Sequence, residues 1–172
     1  MKYFNFLFIL FSMIACNSSQ KLTKEIPREM QNISCPGSGN CSIEVFKNSS
    51  LQIKTDAFGK IYPKIQKGNN LVVKYYFEKK EKKNIEDAGY SEFIYFEVDK
   101  NEKQIILKDA ELQKLKILYG RICFCRDANG YFRVDQGNLY LFNNNNNLQF
   151  NLKFNMGKIP QVITQINENI KY

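Results

Sequence analysis

Downstream of residue 34, apolar and polar positions alternate with a period of two. The cleanest stretch sets Leu148, Phe150, Leu152 and Phe154 between Gln149, Asn151 and Lys153, the arrangement a strand needs when one face is buried and the other is wet. Shorter runs of the same kind occupy residues 43–47, 51–55, 71–77, 93–98, 104–108, 117–125, 131–134 and 139–142. Asn- and Gly-rich segments at 47–50, 67–70, 127–130 and 136–138 separate many of them, and these residue types accept positive φ at low cost. The asparagine run 143–147 predicts a long hairpin loop between two strong strands. About eight or nine short strands at this spacing predict an all-β fold, an antiparallel sandwich or barrel.

Two segments fit the alternation less well. Residues 109–116 hold good helix formers but also lead into a strand. Near the carboxyl end, Ile159, Val162, Ile163, Ile166 and Ile170 follow a helical spacing around Pro160, while Val162, Ile166 and Ile170 also share one face of a strand. A closing strand is expected there, with a short carboxyl-terminal helix as the alternative.

The first residues follow a different rule. Met1-Lys2 gives a positive start, residues 3–15 are almost wholly apolar, and polar residues begin at Asn17. The run falls short of the roughly 20 residues a transmembrane helix needs and fits a cleaved signal peptide. Its end, Met13-Ile14-Ala15-Cys16, resembles the lipobox of bacterial lipoproteins. That resemblance implies cleavage before Cys16, diacylglycerol on its sulfur and attachment to a membrane. Asn17 in place of Asp implies the outer membrane where the cell has one. Residues 16–34 then read as a polar tether, and residues 35–172 as one β-rich domain. Plain secretion is the alternative, and cysteine parity opposes it: setting Cys16 aside for lipid leaves Cys35, Cys41, Cys123 and Cys125, an even set for an oxidising compartment.

Charge narrows the partners. The net charge is +8, or +7 once Lys2 leaves with the signal peptide, which favours anionic lipid head groups, acidic glycans or an acidic envelope protein. Export argues against nucleic acid. The chain contains no histidine, so a hydrolytic triad lacks its usual base and metal sites lose their commonest ligand. No enzyme activity and no cofactor are expected.

The four remaining cysteines carry the sharpest chemical alternatives. Residues two apart in a strand lie about 6.5–7 Å apart between Cα atoms, at the limit for a disulfide, so Cys123 and Cys125 are not expected to bridge each other. Two long-range bridges from Cys35 and Cys41 to that pair are one solution. A local Cys35–Cys41 loop is the other, leaving Cys123 and Cys125 as thiols or a reducible pair able to bind a soft metal or exchange disulfides. The mixed charge run 74–87, with Lys79, Lys80, Lys82 and Lys83, reads as a solvated hairpin tip or a basic finger. Tyr75, Tyr76, Tyr90, Tyr95, Tyr119 and Tyr131 are candidate stacking platforms or core residues. Glu92, Glu97 and Asp99 share one strand without a second acidic cluster to complete a glycosidase pair. The expected function is a lipid-anchored envelope protein with a binding or structural β domain. The alternatives are a barrel-type carrier of a small apolar ligand and a thiol or metal protein built on Cys123 and Cys125.

Overall fold

The computed structural model describes residues 35–80, 89–125, 128–144 and 146–172. The expected signal peptide, Cys16 and the expected tether lie outside them, as do residues 81–88 of the mixed charge run. The described residues form ten strands: β1 (Gly39–Thr55), β2 (Ile61–Lys67), β3 (Asn70–Lys79), β4 (Tyr90–Val98), β5 (Gln104–Lys108), β6 (Leu118–Cys123), β7 (Gly130–Arg133), β8 (Gly137–Asn144), β9 (Asn147–Phe154) and β10 (Gln165–Lys171). A short 3-10 helix, Asp109–Leu115, joins β5 to β6. The fold is all-β.

The strands pair antiparallel in two sheets, in the orders β2-β1-β3-β4-β6-β7 and β10-β9-β8-β5. Alternation decides which side chains meet between them. Leu71, Val73, Tyr75 and Phe77 of β3 and Ile94, Phe96 and Val98 of β4 join Leu139, Leu141, Leu148, Phe150 and Leu152 from the second sheet in one buried core. Phe96 meets Phe150 edge-on, with ring centroids 5.0 Å apart.

The first sheet also has a second core on its other face, where Leu51, Val72, Tyr95 and Leu118 pack together. This face is covered because the sheet curls until its edge strands, β2 and β7, approach each other. Gly120 allows the curl, since a Cβ there would lie 2.5 Å from the Tyr131 ring on β7.

β1 serves two neighbours. Residues 39–46 pair with β3 and residues 49–55 with β2, and a bulge between Phe46 and Ser49 turns the strand from one partner to the other. Asn48 adopts a φ of 48° there, and its carbonyl accepts the Gly68 N–H at 2.9 Å. The turn expected at 47–50 is therefore a β-bulge inside one long strand.

β2 contains Pro63 and lies at a sheet edge, where a missing N–H is tolerated. Residues 165–171 form the closing strand, and the alternative of a carboxyl-terminal helix is not realised.

Candidate functional site

The strand order places all four described cysteines at one end of the first sheet. Cys41 lies opposite Phe77, Phe77 opposite Glu92, and Glu92 opposite Arg121, while Tyr90 pairs with Cys123 two rows further on. Cys35 is bonded to Cys41, with Cα atoms 5.6 Å apart, and Cys123 to Cys125, with Cα atoms 5.3 Å apart. The long-range pairing is excluded because β3 and β4 stand between β1 and β6. Three strand spacings amount to about 14 Å, twice what a disulfide spans.

The expectation that Cys123 and Cys125 do not bridge is also corrected. β6 ends at Cys123 and the chain bends at Phe124, which draws the two Cα atoms closer than an extended strand would. A cross-link stabilises chiefly by removing freedom from the unfolded chain. In that account the seven-residue Cys35–Cys41 loop contributes about 2.4 kcal/mol, and the three-residue Cys123–Cys125 loop only about 1.6 kcal/mol.

Donors face both pairs. The Tyr75 hydroxyl donates to Cys41 Sγ at 2.8 Å, and Arg121 Nη1 donates to Cys125 Sγ at 3.0 Å. The Arg121 guanidinium lies 5.3 Å from the centre of the Tyr90 ring and also donates to the Ala128 carbonyl at 3.2 Å. Phe124, between the two cysteines, is 87% exposed.

Beneath this end, Glu92 is wholly buried. It accepts the Tyr90 hydroxyl, the Val162 N–H at 2.5 Å and the Ile163 N–H at 2.8 Å. Glu97 lies five residues further along β4 and so faces the opposite side of the sheet. It accepts the Leu51 N–H at 2.6 Å, Asn70 Nδ2 at 2.6 Å and Lys116 Nζ at 2.8 Å. Burial pushes its carboxyl up, but these donors outweigh burial and leave it below the usual carboxylate range. The two carboxylates stand about 17 Å apart along the strand, too far for a glycosidase pair, and each ties down backbone.

The opposite end of the sandwich is a cleft of about 560 Å³. Lys47 of the β1 bulge, Lys100 and Lys103 of the β4–β5 turn, Asn143, Asn144 and Tyr172 line it. The Asn143 N–H donates to the Lys103 carbonyl at 2.9 Å and its Nδ2 to the Lys100 carbonyl at 3.0 Å. The Tyr172 hydroxyl donates to Asn143 Oδ1 at 2.6 Å, and Lys47 Nζ lies 5.5 Å from the centre of the Tyr172 ring. The backbone of Lys100 and Lys103 is thus held in place. Among the described residues, none of the three ammonium groups is in an ion pair and no carboxylate side chain lines the cleft. Sequence reading missed this site because Lys47 comes from the β1 bulge, some 50 residues before the β4–β5 turn that carries Lys100 and Lys103.

Of the tyrosine candidates, Tyr75, Tyr95 and Tyr119 are core residues, whereas Tyr76, Tyr90 and Tyr131 are half-buried. Burial raises the phenols of all three core tyrosines, with Tyr75 pushed up to about 12. Tyr76 and Phe93 form a partly open aromatic pair, 4.9 Å between ring centroids. Lys79 and Lys80 are exposed, and Lys74 pairs with Glu44 at 3.0 Å. No group of three or more potential metal-ligating side chains converges among the described residues. No family model, no curated protein and no solved structure matches the chain.

Proposed function

We propose that this protein is a lipid-anchored component of the cell envelope, held in the outer membrane where one is present, whose β domain is a non-enzymatic binding module for an acidic envelope glycan. The observation that carries the reading is the cysteine arithmetic. Both described pairs are joined locally, which supports an oxidising compartment and leaves Cys16, the residue ending Met13-Ile14-Ala15-Cys16, as the one sulfur for acylation.

The basic cleft supports the binding half. Its three ammonium groups, none in an ion pair among the described residues, and its asparagine amides suit a ligand that presents carboxylate or sulfate groups along with hydroxyls. The apolar side chains of both cores pack against one another, which favours this reading over a carrier of a small apolar ligand.

Cys16→Ser expressed in the native host tests the anchor. Release of the variant into the soluble fraction, with loss of acyl mass, supports it, and unchanged membrane fractionation overturns it. The cleft is tested on an acidic polysaccharide matrix. A Lys47→Gln, Lys100→Gln, Lys103→Gln variant is expected to elute at markedly lower salt than the wild type, and equal elution overturns that assignment.

A further inference from the structure

We propose that Cys123 and Cys125 form a reversible thiol–disulfide couple that exchanges with a partner carrying a cysteine pair, an activity separate from glycan binding and from the lipid anchor. Three observations at the end of β6 carry it. The first is the Arg121 guanidinium, which donates to Cys125 Sγ at 3.0 Å and is held over the Tyr90 ring. A cation placed on a sulfur stabilises the thiolate that forms when the bond opens and makes that sulfur the better leaving group.

The second is access. Cys123 and Cys125 are both partly exposed where β6 ends, and their chain neighbours Ile122 and Phe124 are 39% and 87% exposed. The third is the contrast with the other bridge at the same sheet end. Cys35 and Cys41 pack against the main core, and the donor facing Cys41 is the neutral hydroxyl of Tyr75.

The exchange balances without a further reagent. A partner thiolate attacks Cys123 Sγ, the Cys123–Cys125 bond breaks, and its electron pair leaves on Cys125 Sγ, where Arg121 holds it. The partner's second thiolate then attacks the partner's own sulfur in the mixed disulfide and expels Cys123 as a thiolate, which takes up a proton. Two electrons pass from the partner to this protein. The partner's two thiolates become a disulfide, Cys123 becomes a thiol, and Cys125 is left as a thiolate beside Arg121.

The test equilibrates the purified protein in buffers of graded reduced-to-oxidised glutathione ratio, traps free thiols with a maleimide and maps them by peptide mass. The expected result is that Cys123 and Cys125 become alkylated at ratios that leave Cys35–Cys41 intact and the fold unchanged by circular dichroism. In Arg121→Met, half-reduction is expected to require a ratio roughly tenfold more reducing. The wild-type comparison stands even if that variant does not fold. Reduction of both bridges only together with unfolding overturns the proposal, as does an equal midpoint in a folded Arg121→Met protein.

Discussion

The two ends of β4 each bury a carboxylate, and the two are used differently. Glu92, at the disulfide end, is sealed from solvent and holds the segment leading into β10 through two backbone N–H groups. Glu97, at the cleft end, holds the β1 bulge through Leu51 and shares its charge with Lys116, whose side chain is 41% exposed. The disulfide end is therefore fixed by dry hydrogen bonds and covalent links, and the cleft end by an ion pair that water reaches. The difference teaches that a buried carboxylate with no ion pair among the described residues depends on all its donors at once. An ion pair at the rim is cheaper to lose and easier to titrate.

The sharpest way to break the comparison is Glu92→Ala, which strands two backbone N–H groups and the Tyr90 hydroxyl in the interior. A loss of about 4 kcal/mol is expected in urea unfolding, within reach of the whole stability of such a domain. Next comes Cys35→Ser with Cys41→Ser, at about 2.4 kcal/mol, against about 1.6 kcal/mol for Cys123→Ser with Cys125→Ser. Equal costs for the two removals would show that loop length does not govern this end.

Glu97→Gln is expected to cost about 1.5 kcal/mol, reduced from the value for a dry pair because Lys116 is partly solvated. Its pH signature is more telling than its size. The folded Glu97 carboxyl lies below its unfolded value of about 4.3, so its contribution is present above that value and fades as the pH falls through the folded one. Wild type and Glu97→Gln should converge in acid, as followed by thermal melts at stepped pH.

The smallest expected effect is at the alkaline limit. Burial raises Tyr75, Tyr95 and Tyr119, so their contribution is full below about 10 and is lost as the pH rises toward the folded values. Tyrosinate absorbance should therefore rise together with unfolding and not ahead of it.

Much of the fold was legible in the sequence, for a physical reason. Period-two alternation is written into strands with one dry face, such as β9, and the eight or nine strands expected compare with ten observed. The signal fails where both faces are covered or where pairing changes partners. In β4, Ile94 to Val98 are buried consecutively because the sheet carries a core on each side. β2 was missed because Pro63 breaks a strand pattern everywhere except at an edge, and edge position is a tertiary fact. The Cys123–Cys125 bridge was misjudged from ideal strand geometry, which ends one residue before Phe124. The cleft left no local mark, since Lys47 meets Lys100 and Lys103 only after β1 bends and pairs with β3 beside β4.

The Cys35–Cys41 staple has a mechanical consequence. Any tension arriving along the chain from residue 34 enters the domain at the start of β1, whose residues 39–46 are laddered to β3 in continuous register. Traction along that axis slides one strand past another and loads the ladder's hydrogen bonds in parallel, so they must yield together. A domain moored from this side resists being dragged apart better than one peeled open a rung at a time.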